Sequence, residues 1–449
     1  MKQYDIVIIG GGPAGVACAL SAKNTYPDKT IALIRKESKP MIPCGIPYTL
    51  HTLKEVDDNI LPDTPLNAAK IDIINSEIIS RTDNKVVLEN DEDIEFNKLV
   101  LAVGSRAVKP KIEGVDKNNV FLVRKNSEYL NELKAKINEA QKIVILGGGY
   151  IGVEVTDELL KAGKDVTVVE MMDNLLPTMD NEFGAKVKEI IESNKGKVVT
   201  GKSIKKITGD ESVKGVELSD GSQIECDLLI ISCGYKPNVD LAERFDLVYE
   251  EDKGILVDDY LRTSDRDVFA IGDCAAKYDY FTGEFTNIML ASTAMAEGRL
   301  VGSNLYSIKV IRKYQGVLGT FSTKIGNTAF AVSGLTEKRA REKGLEYTVG
   351  IAKAPDRHPG KLPGASELTV KLLFSTYSHN LLGAQISGGD SVGEMVNMLS
   401  VMILNKMTDM DIDTLQIGTH PLLTTSPIAY PIINATVDAI KKWYKYQPV

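Results

Sequence analysis

The segment KPMIPCGIPYTL, residues 39 to 50, sets a thiol, Cys44, between Pro43 and Gly45, with Pro47 close behind. A disulfide or a zinc site needs a second sulfur nearby, yet the nearest other cysteine in the sequence is Cys18, well upstream. A structural cysteine would need no such setting, so the segment poses the question of which sulfur Cys44 meets. Carboxylates form the second chemical signal. Glu170 closes the apolar run DVTVVE, close to the ~20-residue offset from Gly147 at which a carboxylate accepts from a ribose 2′-hydroxyl. Asp273 closes VFAIGD, at the carboxyl end of a strand, where ligands gather in open α/β sheets. A helix N-cap is the alternative role for Asp273.

These groups need elements to carry them, and two glycine turns supply the frame. DIVIIG runs into Gly10, Gly12 and Gly15, and VACALSAKN follows with the spacing of a helix packed on a sheet. KIVILGGGYIGVEVTDELLKAG repeats the device with Gly147, Gly149 and Gly152. Glycine suits these points because the turn is tight, the backbone must approach a pyrophosphate, and the helix must offer its N-terminal amides to the anion. The chain therefore contains two dinucleotide folds. In the first, the strand TIALIRKE ends in Arg35 with Glu37 two residues on: Glu37 serves the ribose, Arg35 packs over the adenosine with no carboxylate used, or Arg35 is a solvated strand end. FNKLVLAVGSRAVKP is a buried strand closed by Gly104 and Ser105, and SEYLNELKAKINEAQ is a charged helix linking the two folds. From about residue 325, FAVSGL, YTVGIAKA and ELTVKLLFS read as strands and VGEMVNMLSVMILNKM as a helix, which indicates an α+β domain without a glycine fingerprint. The apolar tail from Ile417 is expected to be buried, in part at a subunit interface.

With 449 residues, 43% of them apolar, the chain can build two or three cores. A net charge of -8 argues against nucleic acid or an anionic membrane as partner. Five cysteines without framework spacing point to a reducing cytosol, and no segment approaches the ~20 apolar residues of a membrane span. A soluble cytoplasmic protein acting on small solutes is expected. Cys18, Cys226, Cys233 and Cys274 read as small core residues.

The glycine turn at Gly10, PCGIPY around Cys44, LVLAVGSRAVKP, GGGYIGVE with Glu170, GYKPN, VFAIGDCA with Asp273 and LASTAMAEGR occur in one order. In that order the sequence resembles, over essentially its whole length, the two-dinucleotide-fold flavoprotein disulfide reductases. Within them it resembles the single-cysteine branch of coenzyme A disulfide reductases, NADH oxidases and peroxidases, and NADH-dependent persulfide or polysulfide reductases. The resemblance implies an α/β fold with two Rossmann-like domains, the second inserted in the first, and a C-terminal α+β domain that forms a homodimer. The corresponding ranges are 1–115 with 250–324 for FAD, 116–249 for NAD and 325–449 for dimerisation. The first glycine loop and Asp273 would hold FAD, and the second loop with Glu170 would hold NADH, NADPH being disfavoured. The implied cofactor-contacting set is Gly10, Gly12, Pro13, Ala14, Gly15, Arg35, Glu37, Ala102, Gly104, Gly147, Gly149, Tyr150, Ile151, Gly152, Glu170, Gly234, Gly272, Asp273 and Ala291, with no metal site.

The same resemblance makes Cys44 the redox thiol and the substrate its missing sulfur partner, with coenzyme A as a possible substrate or mixed disulfide. Cys44 is expected at the start of a helix opening with GIPYTL, whose dipole favours the thiolate. Gly45 would let the backbone approach the isoalloxazine ring, while Pro43 and Pro47 stiffen the loop. Tyr150 would gate the nicotinamide, and electrons would pass from NADH through the flavin to Cys44. His420 in THPLL is either the acid for the leaving thiolate, acting across the dimer but without the usual following Glu, or a packing histidine. Arg357, His358 and Lys361 either meet an anionic substrate or lie in a solvated loop. Pro13 stands where the peroxidases and water-forming oxidases carry a histidine, and an appended rhodanese-like module is not expected. The reading is a disulfide, persulfide or polysulfide reductase; the alternatives are an NADH oxidase and a redox-sensing flavoprotein.

Overall fold

The computed structural model describes residues 2–313 and 315–446. It resolves into two compact units, Met1–Ile143 with Lys205–Glu217 and Gln223–Val317, and Val144–Ile204 with Leu218–Ser222 and Leu318–Val449.

In the first unit the strand Lys2–Ile9 pairs in parallel with Ile31–Arg35 on one side and Asp93–Leu101 on the other. Asp72–Asn75 and Val268–Ala270 extend the parallel part, and Lys85–Leu88 and Ile78–Thr82 continue it antiparallel. A parallel sheet is covered on both faces, which is why its strands read as unbroken apolar runs. Ile6 and Ile8 enter one core with Leu33 and Val100, while Val7 and Ile9 enter the other with Ile34 and Leu99. The helix Pro13–Thr25 packs on Ala291–Asn304 through small residues. A Cβ on Gly298 or Gly302 would stand 2.5 Å from the carbonyl oxygen of Ala14 or Cys18, so only glycine permits this approach. Ser21 Oγ closes the contact by donating to Arg299 O at 2.9 Å.

In the second unit the parallel strands Asp165–Val169 and Lys197–Val199 accompany the helix Tyr150–Lys161. Five antiparallel strands form its other sheet, in the order Phe321–Ile325, Thr328–Gly334, Leu381–Gly388, Glu367–Ser375, Tyr347–Pro355. The helix Val392–Leu404 packs on Thr328–Gly334 and Leu381–Gly388, and Pro431–Tyr446 packs on Tyr347–Pro355. Gly350 allows that last contact, since a Cβ there would lie 1.8 Å from Ala435 O. The expected α/β architecture with a C-terminal α+β region is thus present. The tail is divided in the single chain. Ile432, Ala435 and Ala439 are buried, but Leu422, Leu423 and Ile428 are exposed, because the proline-interrupted stretch before the last helix forms no regular face to pack. No helix among the described residues is long and apolar enough to cross a membrane.

Candidate active site

Cys44 is exposed and lies on a short 3₁₀ turn, Pro43–Gly45, followed by a second, Pro47–Leu50, rather than at the head of an α-helix. Gly45 N–H donates to Ile42 O and Ile46 N–H to Pro43 O, but Pro47 has no N–H to continue the ladder. The expected helix dipole is therefore absent, and the loop is fixed from outside. Asn59, 4% exposed, donates from Nδ2 to Ile42 O at 2.9 Å, and Ile42 N–H donates back to Asn59 O at 2.9 Å. A Cβ on Gly45 would sit 1.9 Å from Asn59 Oδ1. In this structure Gly45 makes room for Asn59. Lys134 secures the far end by donating to Leu53 O and Lys54 O. Nothing in the spacing of the sequence flags Asn59 or Lys134.

None of the five cysteines is in a disulfide. Cys18, Cys226 and Cys274 are buried, and burial pushes the Cys226 thiol up to about 12 and the Cys274 thiol to about 11. Cys233 is exposed, contrary to its reading as a core residue, because it follows the buried strand Leu228–Ile231 at the point where the chain leaves the sheet.

The first glycine turn is shaped for an anion. Gly10 has φ +117°, and a Cβ there would lie 2.2 Å from Ala102 O; one on Gly15 would lie 2.0 Å from Gly10 O. Gly12, at the N-terminus of Pro13–Thr25, faces open space, and no side chain caps that helix. An uncapped helix end with room before it fits a dinucleotide pyrophosphate. Gly272, at φ +71°, packs on Ala14, and its N–H donates to Glu297 Oε2 at 2.8 Å. Lys277, buried with Glu297, donates to that carboxylate at 3.0 Å and to Gly272 O at 2.6 Å. This network presents Asp273, whose Oδ2 accepts from Ser105 Oγ at 2.7 Å and Lys125 Nζ at 3.2 Å. Gly104 and Gly234 both have positive φ and open space beside them, and Ala291 opens the helix Ala291–Asn304. Arg35 is buried, while Glu37 is exposed.

The second turn repeats the shape. Gly149 faces open space at the uncapped start of Tyr150–Lys161, which carries Ile151 and Gly152 in its first turn. Glu170 is buried and accepts from Gly148 N–H at 2.6 Å and Met172 N–H at 2.8 Å. The Tyr150 ring meets Phe321 edge-on, 4.1 Å between centroids, and its hydroxyl accepts from Thr178 Oγ1 at 3.1 Å. One turn on, burial raises the Glu154 carboxyl to about 7 despite a hydrogen bond from Thr323.

The segment between Glu170 and the helix Asn181–Ser193 is tied down at Asp180. Lys371, 3% exposed, reaches Asp180 at 2.8 Å, Glu182 at 2.5 Å and Glu337 at 2.6 Å. Gln385 accepts from Asp180 N–H and donates to its carboxylate, both at 2.6 Å. Burial alone would lower the Lys371 pKa; the three carboxylates outweigh it and push it up.

His420 is exposed. Its Nδ1 accepts from Leu422 N–H at 3.3 Å, which places the ring proton of the neutral imidazole on Nε2. His358 ties its own loop to this segment, donating from its N–H to Pro421 O at 3.0 Å and contacting Thr424 O through Nδ1 at 2.9 Å. Arg357 turns inward to Pro363 O.

The family model described as pyridine nucleotide-disulphide oxidoreductase matches residues 4–298, and the dimerisation domain of the same description matches residues 320–428. The chain is 31% identical to an NADH oxidase of Methanocaldococcus jannaschii, over 97% of this chain and 98% of the relative. It is 30% identical to the NAD(P)H coenzyme A polysulfide/persulfide reductase of Pyrococcus horikoshii, over 92% and 93%. Among solved structures, a NAD-dependent persulfide reductase from A. fulgidus superposes with a TM-score of 0.90 at 29% identity, over 98% of this chain and 84% of that one.

Proposed function

The chain belongs to the pyridine nucleotide-disulphide oxidoreductases, and from that premise we propose that it uses NADH, FAD and Cys44 to reduce a disulfide, persulfide or polysulfide such as coenzyme A disulfide. The observation that carries this reading is an exposed thiol on a braced loop, in the unit that also holds the first dinucleotide cradle. FAD, when bound, supplies two-electron transfer between nicotinamide and sulfur. The residues do the rest. The Cys44 thiolate attacks one sulfur of the substrate, forms a mixed disulfide or persulfide, and expels the other sulfur as a thiolate. His420, acting across the dimer in its charged imidazolium form, protonates that leaving group. Two electrons then restore the Cys44 thiolate and release the second thiol or sulfide. Glu170 accepts from the nucleotide ribose and repels a 2′-phosphate. Tyr150, held by Phe321 and Thr178, covers the nicotinamide position until the nucleotide displaces it.

In this reading residues 1–115 and 250–324 bind FAD, 116–249 bind NADH, and 325–449 form a cytoplasmic homodimer through the exposed Leu422, Leu423 and Ile428. An NADH oxidase is the second reading, favoured by the Methanocaldococcus jannaschii relative of that name. The test is an anaerobic and aerobic comparison of coenzyme A disulfide, polysulfide and oxygen as NADH-linked acceptors, in native protein and Cys44→Ser. The variant is expected to keep FAD and lose disulfide and polysulfide reduction by at least about 100-fold, equivalent to nearly 3 kcal/mol of barrier. Native rates on both sulfur acceptors in Cys44→Ser would end the reductase reading.

A further inference from the structure

The two glycine turns share a register. Gly10 N–H donates to Ile34 O at 2.8 Å, and Gly147 N–H donates to Val169 O at 2.9 Å. The next residue along each strand is Arg35 in the first unit and Glu170 in the second, so the two side chains are structural counterparts. Each lies over the middle glycine of its turn. A Cβ on Gly148 would stand 3.1 Å from Glu170 Cβ, and one on Gly11 would stand 2.6 Å from Arg35 Cδ and 3.2 Å from Arg35 Cβ.

Their chemistry is opposite. Glu170 offers acceptor lone pairs beyond its bonds to Gly148 and Met172, whereas a guanidinium has no acceptor at all. The Arg35 donors are also engaged within the fold: NH1 and NH2 reach the two oxygens of Asp63 at 2.6 and 2.7 Å, NH2 also reaches Ser38 O at 3.4 Å, and Nε reaches Asn75 Oδ1 at 3.3 Å. The Arg35 side chain is 3% exposed and that of Asp63 34%, so the carboxylate of the pair is the part that meets solvent. A carboxylate held in such a fork still has lone pairs for a hydroxyl.

We propose that the first dinucleotide site reads the adenosine ribose of FAD through Asp63, carried outward on the Arg35 guanidinium, in place of a carboxylate on the strand end. The inference rests on the FAD assignment above and adds to it the residue that recognises the ribose. The Arg35 stem covers Gly11, and its head fixes both oxygens of Asp63 so that their remaining lone pairs are directed before the ligand arrives. The site then presents an acceptor whose charge is balanced by its own carrier, while the NADH site presents the bare charge of Glu170.

The test uses apoprotein titrated with FAD and with its analogue lacking the adenosine 2′- and 3′-hydroxyls, binding being followed by flavin fluorescence. Native protein is expected to bind FAD about tenfold more tightly than the analogue. Asp63→Ala should bind the two alike, and Asp63→Asn should keep only part of the preference. Arg35→Glu combined with Asp63→Ala, which returns a carboxylate to the strand end, should restore it. The ratio is read within each variant, so a general loss of affinity from disturbed packing does not imitate the result. Full native preference in Asp63→Ala, or loss of preference only in Glu37→Ala, overturns the proposal. Native protein that binds no FAD removes the FAD assignment itself, and this inference with it.

Discussion

A thiol on 3₁₀ turns receives no help from a helix end, so Cys44 relies on exposure and on a loop that does not move. That places weight on Gly45 and Asn59. Gly45→Ala would push a methyl into Asn59 Oδ1, and the buried amide that braces Ile42 would have to give way. The expected cost is about 1–3 kcal/mol, read from denaturant melts, with a fall in disulfide reduction and no change in nucleotide binding. Undiminished stability would show that Asn59 turns aside freely. Glu154 gives a second test. Its folded pKa, about 7, lies above the ordinary 4.5. Its protonated form therefore contributes stability that is complete below about pH 4.5 and is lost as pH rises through 7. Glu154→Gln should flatten that slope and gain about 1–2 kcal/mol at pH 8, allowing for the partial exposure of the group. Parallel melting curves from pH 5 to 8 would show that Glu154 ionises normally.

At the scale of elements, the strands and glycine turns were legible because backbone sterics leave few choices. Gly10 at φ +117° and Gly147 at φ +106° tolerate no other residue cheaply, and both stand directly after apolar runs. The helix expected at Cys44 was not legible, since a proline after a glycine fits a helix start and a broken 3₁₀ ladder equally well. Asn59 acts through one side chain on one carbonyl and leaves no period in the sequence. Lys371 is equally silent: its strand position looks like a solvated lysine, and the three carboxylates around it come from two distant segments, at Asp180–Glu182 and at Glu337. The strand Leu381–Gly388 was missed for a related reason, because Gln385 and Ser387 interrupt its apolar face to meet Asp180 and Lys186.

At the scale of the whole molecule, the chain must keep two adenine dinucleotides apart, and the residues after Ile34 and Val169 differ in sign. Glu170→Ala should reduce the NADH over NADPH preference in kcat/KM by about tenfold, measured by steady-state rates with either nucleotide. An unchanged ratio would place the discrimination elsewhere. The exposed apolar stretch at Leu422 and Leu423 was read from the sequence as an interface, but its exposure in one chain could not be, since burial by a second copy and by the chain's own core leave the same composition. Lys371 has a practical consequence as well. Acylating reagents need an accessible, deprotonated amine, and this lysine is enclosed and held protonated by its three carboxylates. In a brief pulse of reagent followed by peptide mass spectrometry, Lys371 should stay unmodified while exposed lysines such as Lys36 react. It should become labelled only when denaturant opens the second unit, which makes it a built-in reporter of that opening; early labelling under native conditions would show that the enclosure breathes.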